Sequence, residues 1–272
     1  MAVTTSTERV TPAKAERWLN SNCNNRSLRD GVVEAYAEDM RTGNWTRCVQ
    51  PIAFYEDGDL ADGQHRLYAI VESGTEQDFV IMRGLSRRDG LNIDTGLART
   101  VVDNARISGV DPHLSNNLVA TARAIDSGET GGGGKRLTNA QKLMLVDEHR
   151  DAAQWAIATL PRAKNIFNVP VLAAIGRAWY HESDLDRLTK FCQVLATGFG
   201  EEAEDHTAAI AMRNYLLNNA GMASTSAMWR DTFLKAMNAV KYFMGRKRLT
   251  VIKGVAEEAY PLKKKKPARK AA

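Results

Sequence analysis

Gly58-Asp59-Leu60-Ala61-Asp62-Gly63-Gln64-His65-Arg66-Leu67-Tyr68-Ala69 is the stretch that decides how this chain folds. Asp57-Gly58 is a hairpin-turn signal, and Leu60-Ala61 begins the return strand. Asp62-Gly63 turns the chain out of that strand. A helix follows from about Gln64 to Glu72, with Leu67, Ile70 and Val71 on one face at i, i+3 and i+4 spacing. A turn of this kind offers backbone N–H groups to an anion at the helix start. Gly63 permits close backbone approach, with Gln64 beside it. Arg66 reads as lying at an open helix end, where a guanidinium clamps phosphate oxygens bidentately. His65 titrates near neutral pH and can move a proton. Asp62 can hold Mg²⁺ or accept a proton. The blander alternative is a hairpin-to-helix junction in which Asp62 caps the helix and pairs with Arg66. It accounts for the Asp and the Gly but leaves the added His and Arg without a reason.

Upstream, Thr11-Pro12 reads as a capped helix start, running through Leu19. Ser21 to Arg26 is a polar, asparagine-rich turn. Ser27 to Thr42 is a second helix, with Val32, Tyr36 and Met40 every four residues and Gly43 as its stop. Gln50 to Tyr55 is the outgoing strand of the hairpin. Downstream, Phe79 to Met82 is a further strand, Ile93 to Gly96 a turn and Arg99 to Ser108 a helix. The second half is almost all helical: 113–126, 139–160, 169–181, 184–197, 204–217 and 226–244. Gly128 to Gly134 is a glycine-rich connection. Gly131 to Lys135 fails as a P-loop, because Arg136 rather than Ser or Thr follows the lysine and no strand precedes it. Trp45, Trp155, Trp179 and Trp229 lie at amphipathic positions and read as core.

Charge is unevenly placed. The 272 residues carry a net +5. From Arg246 to Lys270 ten Lys/Arg face only Glu257 and Glu258, so that segment is at +8 and the rest at −3. Lys263, Lys264, Lys265, Lys266, Arg269 and Lys270 are its densest part and read as a DNA-binding arm, against the alternative of a solvated tail. Cys23, Cys48 and Cys192 are few, widely spaced and without a C-x-x-C, which suits a reducing compartment. No apolar run reaches the ~20 residues a membrane span needs. Residues 1–10 lack the apolar core of a signal peptide. The expectation is a cytoplasmic protein with no membrane partner.

The stretch 58–69 resembles the ParB/sulfiredoxin superfamily. More narrowly it is similar to the ParB-like proteins with a D-G-Q-H-R motif that are common in phages. Gly63, Arg66 and Ala69 meet the superfamily pattern G-x-x-R-x-x-A. The resemblance extends to Asn25-Arg26, the Tyr36 helix, Gly43-Asn44-Trp45, and a second signature at Ile93 to Gly96 with Arg99-Thr100. It implies an α+β fold: a ParB/sulfiredoxin-like mixed sheet with helices over residues 8–110, an all-helical domain over 111–250 and a basic tail over 251–272. It implies a nucleoside triphosphate, ATP or CTP, with Mg²⁺ as cofactor. Gly63, Gln64, Arg66, Asp94, Thr95, Gly96, Arg99 and Thr100 would bind its phosphates, and Asp62 and His65 would carry the chemistry. Gln64 stands where sulfiredoxins carry cysteine, so sulfinic-acid reduction is not expected. The third ParB box, E-N-x-x-R, is not found, nor is an obvious helix-turn-helix.

Three functions are compatible with these residues. One is an enzyme of DNA metabolism that hydrolyses or transfers the triphosphate, and this one is preferred. Another is a DNA-binding, partition-type regulator whose nucleotide pocket is a switch. The third is a ParB-like nuclease. DNA is the expected partner, the host cytoplasm the expected place if the chain is phage-encoded, and a homo-oligomer is left open.

Overall fold

The structure, a computed structural model, describes residues 2–22, 25, 27–89, 99–131, 136–200, 206–222, 225–253 and 257–262. It is an α+β protein with a four-stranded mixed sheet and, among the described residues, ten α-helices. The first unit comprises residues 1–101 and 135–142, the second 102–134 and 143–272.

In the first unit β1 (Thr4–Val10) leads into α1 (Pro12–Leu19), whose start Thr11 caps by accepting the Lys14 N–H at 3.3 Å. Then follow α2 (Asp30–Thr42), β2 (Ile52–Tyr55), β3 (Leu60–Asp62), α3 (Gln64–Ser73) and β4 (Gln77–Leu85). The strand order is β1-β4-β2-β3. β1 pairs antiparallel with β4 from Thr4↔Arg83 to Val10↔Gln77, and β2 runs parallel to β4 with Ile52 opposite Ile81. β1 was not foreseen, because Thr4–Val10 is polar and mostly exposed. It is an edge strand whose residues alternate without an apolar face, so periodicity does not reveal it. α2 starts at Asp30 rather than Ser27, which leaves Ser27 to Arg29 as extended chain.

One core joins these elements. Ala15 of α1, Val33, Ala37 and Met40 of α2, and Leu67 and Ile70 of α3 pack with Ile52, Phe54, Phe79 and Ile81 of the sheet. Each large apolar side chain buried there contributes roughly 1.5–3 kcal/mol. The hairpin tip is pinned by Arg87, which bridges Asp57 at 2.6 Å and Asp59 at 2.5 Å.

The division drawn from sequence near residue 110 gave the first unit nothing after it. Residues 136–142 nevertheless belong there: the Gln141 side chain donates to the Ala35 carbonyl at 3.3 Å, and Thr138 and Gln141 hydrogen-bond the Asp39 carboxylate. Asp39 is buried, and its Oδ1 has no partner among the described residues. Burial raises its pKa, partly offset by those two hydrogen bonds. A carboxyl raised in the native state binds more protons than in the unfolded chain. Stability therefore falls as pH rises from about 4 through the native pKa, and levels off above it. Asp39→Asn should flatten that slope and gain on the wild type at neutral pH, as read from urea midpoints between pH 4 and 8.

The second unit holds α4 (Val101–Ile107), α5 (Asn116–Ser127), α6 (Asn139–Thr159), α7 (Val169–Trp179), α8 (Leu185–Thr197), α9 (Thr207–Asn218) and α10 (Ser226–Met244), apart from the ends of α4 and α6 that lie in the first. α7 is buried along Val171–Ala178, as its unbroken apolar run requires. Its one charge, Arg177, is bonded to the Ile125 and Asp126 carbonyls and to Glu258 at 3.1 Å, and burial lowers its pKa. Tyr260 donates to Glu182 at 2.5 Å. Residues 258–260, counted with the tail in the sequence, are thus tied to the helical unit, and the lysine run begins directly after Leu262.

Candidate functional site

The chemistry-bearing hexapeptide falls where the hairpin becomes a helix. β3 ends at Asp62, Gly63 turns the chain with φ 110°, and α3 begins at Gln64. A Cβ at Gly63 would sit 3.1 Å from Ile52 Cγ1 and 3.3 Å from Ile52 Cα, so both the backbone angle and the close approach to β2 call for glycine. No side chain caps α3 at Gly63. The positive end of the helix dipole therefore faces the pocket that this turn lines.

That pocket has a volume of about 390 Å³, within the ~300–1,000 Å³ of small-molecule sites. α3 contributes Gln64, His65 and Arg66, α2 contributes Val32 and Tyr36, and the chain before α2 contributes Asn25 and Arg29. Arg136 completes it from the segment ahead of α6. Two helices thus start at one pocket, and His65 joins them. Its Nε2 accepts the Arg29 backbone N–H at 3.1 Å, so the neutral ring carries its proton on Nδ1. Gln64 is held by Asn22, which donates to its Oε1 at 3.1 Å. Asn25 in turn donates to Asn22 Oδ1 at 2.6 Å and to the Leu60 carbonyl at 2.7 Å. The asparagine-rich turn is thereby a brace for the hexapeptide.

Arg66 corrects the expectation of an open helix end. It is 6 % exposed. Its guanidinium donates to the Gln50 and Pro51 carbonyls and to Asp62 Oδ2 at 2.9 Å, with Cys48 Sγ at 3.6 Å. Asp62 Oδ1 accepts the Gly63 N–H at 2.7 Å. The Asp62–Arg66 pairing of the blander alternative is present but its Asp62 cap is not, and Arg66 ties the residues ahead of β2 to the first turn of α3. A resident Mg²⁺ fits this donor set poorly, because both oxygens of the single carboxylate are engaged and Arg66 adds a positive charge beside it. Among the described residues no group of three His, Cys, Asp or Glu is placed to hold a metal ion.

The free positive charge comes from residues that the sequence did not single out. Arg29 and Arg136 are exposed, and neither guanidinium has an ion pair or hydrogen bond among the described residues. Asp62 is the only carboxylate among the described residues that line the pocket, and Arg66 neutralises it. Among the described residues the pocket therefore carries two cations without a counter-ion and two helix starts. Arg29 was hidden because the helix after it was read as starting too early. Arg136 was set aside with the failed P-loop. Arg99 and Thr100 are exposed just before α4 and do not line the pocket. Asp94, Thr95, Gly96, Lys263, Lys264, Lys265, Lys266, Arg269 and Lys270 lie outside the described residues. No helix of the described residues is long and apolar enough to cross a membrane.

Compared with known proteins, the chain is matched by no family model, by no curated protein and by no solved structure.

Proposed function

We propose that this chain is a ParB-like protein that binds a nucleotide by its phosphates between the starts of α2 and α3, and acts on DNA through its basic C-terminal residues. One observation carries the reading: among the described residues Arg29 and Arg136 have no counter-ion, and they line a polar pocket whose one described carboxylate, Asp62, is already paired. A phosphate chain there gains two charge-assisted contacts and two helix dipole ends. The likeness of residues 58–69 to the D-G-Q-H-R proteins supports a nucleotide over other anions.

Binding is the better reading of this geometry than phosphoryl transfer. Asp62 as a base would have to give up Arg66, and His65 Nε2 already accepts the Arg29 amide N–H. The deciding experiment incubates the full chain with each of ATP, CTP, GTP and UTP plus Mg²⁺, with and without DNA, and follows both binding and phosphate release. Saturable binding without release supports the switch. Release above the blank moves the assignment to an enzyme that uses Asp62 and His65. DNA cleavage without nucleotide moves it to a nuclease.

The DNA part has its own test. Deleting residues 263–272 removes Lys263, Lys264, Lys265, Lys266, Arg269 and Lys270 but keeps the Arg177–Glu258 and Glu182–Tyr260 anchors. The slope of log K for DNA against log salt should fall by up to about 5, at roughly 0.9 per phosphate contact. Nucleotide affinity should not change. An unchanged salt slope would make the tail a solubility device.

A further inference from the structure

A second cavity lies in the helical unit, lined by none of the residues of the nucleotide pocket. It has a volume of about 560 Å³ and is lined by parts of α5, α7, α9 and α10 and the turns beside them. Leu216, Met222, Met228 and Trp229 make its apolar wall. Trp229, expected from its spacing to be core, is only half-buried. Its ring stacks on Phe233 at 5.2 Å and is backed by Gly131, where a Cβ would come within 2.8 Å of the indole. Gly131, itself a lining residue, is thus needed for the ring to lie there.

The polar side of the cavity is one-sided in charge. Among the described residues Arg123 of α5 lines it, no carboxylate does, and the Arg123 Nε is buried with no hydrogen-bond partner. Nearby acids are already matched. Asp231 takes Lys235 at 2.6 Å and the Tyr215 hydroxyl at 2.8 Å, while Glu129 takes Arg230 at 2.7 Å. The first turn of α7 borders the cavity through Asn168, Val169 and Pro170, but Asn168 already accepts the Val171 N–H at 3.1 Å and Pro170 has none to give, so Arg123 is the group an anion would meet. A guanidinium on a cavity wall with no acid beside it among the described residues favours a planar oxyanion, which it can hold through two N–H groups.

We infer that this cavity binds a small organic anion, with its carboxylate or phosphate head on Arg123 and its apolar body against Met222, Met228 and Trp229. The site is independent of the nucleotide pocket and lies wholly in the helical unit.

Anilinonaphthalene sulfonate, an anion on an aromatic body, is the probe, with uncharged N-phenylnaphthylamine as its control. Fluorescence titration of the full chain should show one saturable sulfonate site. Arg123→Met should weaken it about tenfold or more, the loss of one charge-assisted contact, and leave the uncharged probe unaffected. Arg123→Lys should restore part of the affinity. Ala120→Trp, at a lining position on α5, should abolish binding by filling the space; it decides the matter should the Arg123 variants fail to fold by circular dichroism. Competition with naphthoate and naphthyl phosphate then names the head group by the tighter displacer. Absence of saturable binding, displacement by neither competitor, or unchanged affinity in folded Arg123→Met and Ala120→Trp would overturn the inference.

Discussion

Replacing both Arg29 and Arg136 by alanine should cut nucleotide affinity by two orders of magnitude while leaving the fold intact. Both side chains are exposed and make no ion pair or hydrogen bond among the described residues, so removing them breaks nothing in the free protein. In the complex each supplies a charge-assisted contact to a phosphate, worth about 1.5 kcal/mol at an exposed site. Two such contacts amount to about 3 kcal/mol, or roughly 150-fold in Kd. Each single variant should lose about tenfold. Calorimetric titration checks this, and raised salt should shrink the difference because both charges face solvent. A double variant that binds as tightly as wild type would place the phosphates elsewhere.

Arg66→Ala should behave in the opposite way, costing stability rather than affinity alone. Its guanidinium is buried against two backbone carbonyls and the Asp62 carboxylate. Removing it strands that carboxylate and leaves the Gln50 and Pro51 carbonyls unmet. Breaking a buried pair from one side costs about 3 kcal/mol, a large share of the stability of a typical domain. The urea midpoint should drop accordingly. Arg66→Lys should fall between, because an ammonium cannot reach the carboxylate and both carbonyls in one plane. A folded Arg66→Ala protein of normal stability and weakened nucleotide binding would instead return Arg66 to the role of phosphate clamp.

The contrast between these arginines marks how far residues alone lead. Repeating apolar spacing and end signals reveal most elements: Thr11-Pro12 starts α1, Gly43 with φ 77° stops α2, and the hairpin at Asp57-Gly58 is where its residues require it. The Asp-Gly junction between a strand and an amphipathic helix, which lines the candidate pocket, is legible too. Which way each side chain turns is not. Arg66 reads as exposed because it falls at what looks like an open helix end after Gly63. Its burial follows from Gln50 and Pro51, sixteen and fifteen residues earlier, which no local pattern links to it. Arg29 and Arg136 reach one pocket from segments more than a hundred positions apart. β1 stays hidden for a related reason, since it is held by pairing with β4 rather than by its own apolar face.

The most direct test follows the arginine Nε–H resonances of the ¹⁵N-labelled full chain during titration with a nucleoside triphosphate, with Arg29→Lys and Arg136→Lys spectra for assignment. The account predicts that the Arg29 and Arg136 signals shift together and saturate with the binding curve, while that of the already engaged Arg66 moves little. Saturation of the protein with the Arg29 and Arg136 signals unmoved, or no saturation at all, would contradict it.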